Sequence, residues 1–408
     1  MTTSTDRIDA ERVKAVEATH VLQVYRRHPV VFIGGRGAWL VDADGRQYLD
    51  FLSGIGVASL GHAHAGLSEA IAAQARELLH TSNLFFHPLQ GQVAQRLARL
   101  SGLPRAFFCN SGAEAVEACL KFARRYHRTR GDADRCEIVA FEGSFHGRSY
   151  GALSVTSGEP YRTPFEPLLP AVRFVPPSEP ETIRSAITGR TAAVIVEPIQ
   201  GEGGIRPIPS PAAGAIADAC GASGTLVIAD EVQSGLGRTG RPFASAGLGI
   251  DPDLVALGKS LGGGVPIGAA LMSEAVAQAA SFGDHGSTYG GNLLACRAAL
   301  VFLDALEGGL IDRVAEAGGR LGAGLEALVS ASPQVHEVRG AGLMRALEVD
   351  QAVADRTVDC ALEQRLIVNR TAGTAIRLLP PYTVTDDEID DGLSRLRQAL
   401  AEAGATFG

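Results

Sequence analysis

The chain has 408 residues, 46% of them apolar and 20% charged, enough to bury the cores of two or three domains. That composition excludes a disordered chain, a collagen repeat and a disulfide-stapled miniprotein. A net charge of −8 argues against a nucleic-acid partner, which calls for a basic patch.

The start, MTTSTDRIDAERVKAVEA, carries charges of both signs and no apolar stretch, so it does not read as a secretory signal. No run of about 18 apolar residues occurs, and no membrane-spanning helix is expected. Cys109, Cys119, Cys136, Cys220, Cys296 and Cys360 are scattered without CxxC spacing. They read as reduced thiols and point to a cytoplasmic address.

Residues 31–51 read as a hairpin closed by an Asp44-Gly45 turn. Short apolar runs then alternate with helical patterns, at 106–110, 137–141, 152–156, 171–175, 192–197, 225–231, 253–258 and 267–272. Several are continuously apolar, as in strands covered on both faces. Between the first two, GAEAVEACLKFARRYHR (112–128) puts Val116, Leu120, Ala123 and Tyr126 on one helix face, with Lys121 and Arg125 opposite. From 311 onward two helical patterns surround strand-like pieces such as AIRLLP (375–380). The segment TDDEIDDGLSRLRQALAEA, with its Thr385-Asp386 cap and acidic first turns, reads as a closing helix. The expected architecture is α/β. Residues 61–310 form a large domain on a mostly parallel sheet, while 1–60 and 311–408 together build a smaller α+β domain.

Two motifs mislead. GLGRTG (235–240) matches a dinucleotide fingerprint, but the following RPFASAGLGI has Pro242 and no helical period. GKS (258–260) resembles the end of a phosphate loop, yet Asp253 stands where its first glycine belongs. GHAH (61–64) offers two imidazoles and no third ligand, so no metal site is expected.

Other motifs carry chemistry. NSGAE (110–114) opens a helix, where the unpaired amides of Gly112 and Ala113 suit a phosphate; Ser111 and Glu114 also have capping-box spacing. IADEVQ (228–233) puts Asp230 at a strand end, where a buried carboxylate needs a cation such as a protonated pyridine nitrogen. Of 37 basic residues only Lys14, Lys121 and Lys259 are lysines. Only Lys259 follows a strand amid small residues, where desolvation lets an amine form an imine. Lys259 and Asp230 with a phosphate cup are what pyridoxal phosphate needs. The loop FEGSFHGRS adds Phe145, a ring that could stack on a flat cofactor, His146, and Arg148, a fork for a carboxylate.

In order, NSGAEAVE, FHGRS, EPIQGEGG, DEVQSGLGRTG, GKSLGGGVPIGA, HGSTYGGN and RLLPP resemble the class III aminotransferases, with their fold type I pyridoxal-phosphate architecture, over residues 20–400. The HTSNLFFHPLQ segment and the closing IRLLPPYTVTDDEID are most similar to the acetylornithine branch. The implied reaction transfers the terminal amine of N2-acetylornithine to 2-oxoglutarate, giving N-acetylglutamate 5-semialdehyde and glutamate in arginine biosynthesis. Acetyl-lysine or carrier-protein lysine, ornithine and 4-aminobutyrate are alternative donors; GALSVT and PYRTPFEPLLP are similar to the lysine-pathway enzymes.

The resemblance further implies that Lys259 forms the imine and Asp230 pairs with the ring nitrogen. Val232 would pack under the ring, Gln233 would reach its phenolic oxygen and Phe145 would stack on its face. Ser111, Gly112 and Ala113 would hold the phosphate, with Thr288 added from the partner of a homodimer. Arg148 and Ser287 would bind the far end of the substrate. Glu202 and Arg377 would form a gate, paired for the donor and parted for 2-oxoglutarate. Two departures stand out: Val116 replaces a frequent Asn, and Arg345-Ala346 replace a small or apolar pair.

Overall fold

The computed structural model describes residues 8–408, so the first seven residues of the charged start lie outside the described residues. Its centre is a seven-stranded sheet in the order Arg105–Cys109, Gly268–Met272, Leu254–Leu257, Leu226–Asp230, Thr191–Val196, Glu137–Phe141, Val172–Val175. Every pairing is parallel except those of Gly268–Met272, which is antiparallel to both neighbours. Side chains alternate between two apolar layers: Ile138 and Ala140 pack with helix Gly112–Thr129, while Val139 and Phe141 face helix Ser210–Ser223. This two-sided burial explains why these strands read as unbroken apolar runs.

The run at 152–156 departs from its strand reading. Tyr150–Ser154 is a short helix. The cause is tertiary: the Glu117 carboxylate takes the amides of Gly151 (2.8 Å) and Ala152 (3.1 Å), capping this turn from another helix. The Ser154 and Thr156 hydroxyls then bond carbonyls four residues back.

The chain ends meet on the other side. Phe32–Arg36, Trp39–Asp42 and Gln47–Asp50 form a meander, and Leu366–Ile367 adds to it in parallel. The Asp42 carboxylate takes the amides of Asp44 and Arg46, closing the expected turn around Gly45 at φ +81°. A second, antiparallel sheet runs Val335–Ala341, Met344–Val349, Ala375–Leu378, Asn369–Thr371. Three helices, not two, follow residue 311: Ile311–Ala331, Gln351–Glu363 and Asp386–Ala403. The middle one carries Val353, Thr357 and Val358, branched residues that blur a helical pattern. Thr385 and Glu388 close a full capping box on the last.

The unusual Arg345 is half-buried and forks onto the carbonyls of Gly342, Gly340 and Gly318 at 3.1, 2.9 and 3.2 Å. Val116 is fully buried in the layer under the helix.

Gly392 is where the last helix touches the meander. A Cβ there would stand 2.2 Å from the Phe51 ring, in a fully enclosed place. Gly392→Ala should therefore destabilise by about 1–3 kcal/mol through overpacking, despite better helix propensity. Denaturant unfolding of the two proteins checks the sign.

Candidate active site

Loops from the carboxyl ends of five neighbouring strands converge, as ligand sites in such sheets do. Their contacts are tight enough to specify glycine. A Cβ on Gly112 would come within 2.5 Å of Val232, and one on Gly201 within 2.5 Å of the Gln233 Oε1. A Cβ on Gly147 would stand 2.8 Å from that of Ala113, and one on Gly258 would stand 3.0 Å from the Gly112 amide. Ser111, Gly112, Ala113, Phe145, Val232 and Gln233 are thus gathered with the Lys259 turn.

Ser111 caps helix Gly112–Thr129 by accepting from the Glu114 amide at 3.2 Å. The expected reciprocal bond is shifted by one residue: Glu114 accepts from the amide (2.8 Å) and side chain (3.0 Å) of Asn110. The amides of Ser111, Gly112 and Ala113 have no partner among the described residues, at a helix N-terminus suited to an anion.

Asp230 is buried. Its Oδ1 accepts from the Val232 amide at 3.0 Å, and its Oδ2 lies 2.7 Å from the His146 Nδ1. Burial disfavours the His146 imidazolium, but the hydrogen bond and charge of Asp230 prevail and raise its pKa. The Nε2 of His146 and the Oε1 of Gln233 are buried with no partner. Glu197 completes the group, accepting from the amides of Phe145 (2.8 Å) and Gly201 (3.0 Å). Burial pushes this carboxyl up to about 7, against the His146 charge and the two amides. Sequence reasoning gave neither His146 nor Glu197 a role. Glu197 does end an apolar strand beside that of Asp230, a signal present in the pattern.

Lys259 is half-buried, and no hydrogen bond or ion pair reaches its Nζ among the described residues. Burial lowers its pKa and Arg377 lowers it further, opposed by Asp230, Glu197 and Glu202. The other lysines are ordinary: half-buried Lys14 pairs with Glu11 at 2.6 Å, and exposed Lys121 meets His285 at 2.8 Å.

Arg377 is fully buried, with Nη1 2.6 Å from the half-exposed Glu202 and Nε on the Asn369 Oδ1 at 3.0 Å. Asn369, which pins this guanidinium from the next strand, carries no motif in the sequence. Arg148 is exposed, its guanidinium 3.7 Å over Tyr161 and 5.5 Å from Phe145, with no carboxylate partner among the described residues. Ser287 accepts from the Asn110 side chain at 3.3 Å, beside the helix start, while no contact joins Ser287 or Thr288 to Lys259 among the described residues. Ser287 and Thr288 line a cavity of about 700 Å3 with Asn83, Gln90, Phe107 and His285, whose lining includes neither Lys259 nor Asp230. The two histidines of GHAH serve local structure, His62 on Asp50 at 2.8 Å and His64 capping helix Ala65–Glu77. No cluster suited to a metal ion exists among the described residues.

A buried amine, a strand-end carboxylate and an anion cup define an enzyme that works through a carbonyl cofactor with a phosphate tail. The chain belongs to the class III aminotransferases, whose family pattern matches residues 22–400. It is 44% identical to the acetylornithine aminotransferase of Methanocaldococcus jannaschii, over 95% of this chain and 97% of that enzyme. Its fold is similar to that of ornithine aminotransferase from Toxoplasma gondii, with TM-score 0.92, 32% identity and coverage of 97% and 96% of the two chains. An amine transaminase from an uncultivated Pseudomonas species, in its PLP-bound form, is similar at TM-score 0.87 and 31% identity, over 94% and 97%. Enzymes of this class depend on pyridoxal phosphate. The residues present fit that group, since the amides at the helix start suit its phosphate and His146 Nε2 and Gln233 Oε1, without partners among the described residues, are buried polar atoms that a polar ligand would satisfy.

Glu197 and His146 both hold protons more tightly folded than unfolded. The stabilisation from Glu197 is therefore present at acid pH and is lost as pH rises through about 7, and that from His146 is lost as pH rises past the ordinary imidazole range. In cofactor-free protein, Glu197→Gln should flatten the fall in stability between about pH 5 and 7.5. Denaturant midpoints across that range read the slope.

Proposed function

We propose that the chain transfers the terminal amine of N2-acetylornithine to 2-oxoglutarate, with Lys259, Asp230, Arg377 and Glu202 as the working groups. The observation that carries this reading is the ion pair between buried Arg377 and half-exposed Glu202, whose charges act on the Lys259 amine. The similarity to the Methanocaldococcus jannaschii enzyme supports the choice of donor.

Bound pyridoxal phosphate would supply an aldehyde for the amine and a ring that takes up electrons when a proton leaves carbon. Ser111, Gly112 and Ala113 would hold its phosphate through their amides, and Val232 and Phe145 would enclose the ring. Asp230, fixed by His146, would keep a proton on the ring nitrogen. Gln233 would donate to the ring oxygen. The Lys259 Nζ, its pKa lowered, gives and retrieves the proton moved during transfer. Arg377 faces opposite demands in the two half-reactions. Acetylornithine brings no carboxylate beside its reacting amine, so Glu202 neutralises the guanidinium; 2-oxoglutarate brings one, so Glu202 must leave. Arg148 would take the distant carboxylate at the surface.

The functional unit in this reading is a homodimer, in which the partner's Thr288 reaches the phosphate. Leu84 lines the same cavity as Thr288, and Leu84, Phe85, Phe86 and Phe282 are exposed and supply apolar surface for that contact. Six free thiols support a cytoplasmic setting. No described helix is long and apolar enough to cross a membrane.

Lys259→Ala should abolish turnover while leaving the unfolding midpoint near that of the parent; normal turnover would sink the assignment. Arg148→Ala should raise KM for both substrates. Arg377→Ala should impair the glutamate half-reaction at least tenfold more than the donor half-reaction, a difference of about 1.4 kcal/mol. Donor choice is tested by adding acetylornithine, acetyl-lysine, ornithine and 4-aminobutyrate separately to the yellow holoenzyme and following the loss of colour. Preference for a lysine derivative would overturn the choice of donor.

A further inference from the structure

Lys259 stands at φ +39°, a backbone region that L side chains rarely adopt. Such strain persists only where surroundings over-determine it. The constraint lies one residue on. Ser260 is buried, and its Oγ is 3.2 Å from both the Gly56 carbonyl and the Tyr382 hydroxyl.

Tyr382 is fully enclosed. Its hydroxyl donates to the Leu236 carbonyl at 3.1 Å, and its amide donates to the Ser59 carbonyl at 2.8 Å. Phe302 lies 6.2 Å from its ring, centroid to centroid. The Arg238 guanidinium stacks 4.3 Å over the same ring, and its Nη1 donates to the carbonyls of Pro380 (2.6 Å) and Leu343 (3.2 Å). Pro380 closely follows strand Ala375–Leu378, which carries Arg377. One side chain therefore touches the turn that aims Lys259 and the cation that fixes the end of the Arg377 strand.

We propose that Tyr382 is a positioning residue that keeps Lys259 and Arg377 in register. Its hydroxyl seats Ser260 and so holds the strained Lys259 turn. Its ring carries Arg238 and so holds Pro380. The two jobs belong to different parts of the side chain, which makes them separable. The inference rests on Lys259 and Arg377 being the working groups proposed above.

Tyr382→Phe removes the hydroxyl and keeps the ring. In the full-length chain without cofactor, competitive amine labelling reads each of the three lysines by peptide mass. The pH midpoint of Lys259 labelling should rise by about half a unit or more as the turn relaxes and the amine gains water, while Lys14 and Lys121 stay put. In the holoenzyme kcat should fall about tenfold, with KM for glutamate within about twofold of the parent, because the Arg377 strand is still held. Ser260→Ala should give the same pattern, and the double variant should cost no more than the larger single one. Phe302→Leu loosens the same ring without touching the hydroxyl, and should lower stability without moving the Lys259 midpoint. A Lys259 midpoint and kcat in both Tyr382→Phe and Ser260→Ala that match the parent, or shifts no larger than those of Phe302→Leu, would overturn the proposal. Labelling requires no turnover, so it gives its answer even if the donor assignment fails.

Discussion

A carboxylate buried at the end of a parallel strand has to be met by donors, and Asp230 organises its surroundings around that need. The next loop residue but one, Val232, folds back to donate its amide, and His146 crosses from another loop to present a ring nitrogen. To hold His146 there, the loop 143–147 must be fixed, and it is fixed from outside itself. Glu197 takes the Phe145 amide and Thr156 takes that of His146. Gly143 and Gly147 let the loop lie against Gln200 and Ala113, where a side chain would collide. The position of Phe145 is thus a consequence of satisfying Asp230.

The second buried charge is handled differently. Arg377 is enclosed, but its partner Glu202 is half in solvent and sits on the loop 201–204. A fully buried partner would hold the pair shut, because separating it would strand a charge in low dielectric. An accessible Glu202 can rotate into water at little cost, whereas Arg377 is anchored by Asn369 and stays. In the proposed gate, that asymmetry of burial makes Glu202 the side that would move for a substrate carboxylate.

What the sequence made legible follows from range. The apolar strand runs, the amphipathic helix 112–129 and the cap at Thr385 are local patterns, and each stands where it was expected. Residues 152–156 form a helix turn because Glu117, on another helix, caps it, and no local pattern holds that fact. The Ser111–Glu114 spacing was read as a capping box, but Glu114 reaches Asn110 and frees an amide for an anion. Glu197, Asn369 and Tyr382 were invisible as site residues, and His146 was singled out in its loop without a role. His146, Glu197 and Tyr382 act on groups far along the chain, Asn369 acts across a strand pair, and the type of each alone suggests ordinary structure. Ser287 and Thr288 were legible through resemblance only, since a single chain gives them no contact with Lys259.

The scarcity of lysine has a physical side. Inside this chain structural cations are arginines, which stay charged when buried and have five donors for turn carbonyls. Arg135 holds the carbonyls of Thr191 and Ser223, Arg124 those of Cys136 and Pro170, and Arg345 three more. A lysine in any of these places would lose its proton more readily as burial deepened, becoming a second nucleophilic amine. Lys14 is half-buried but salt-bridged to Glu11, and Lys121 is exposed and hydrogen-bonded, so neither is such an amine. The proposed mechanism needs one competent nitrogen for an aldehyde, and confining interior amine chemistry to Lys259 would supply it. In the positioning proposed for Tyr382, the strained turn under Ser260 would set where that nitrogen points.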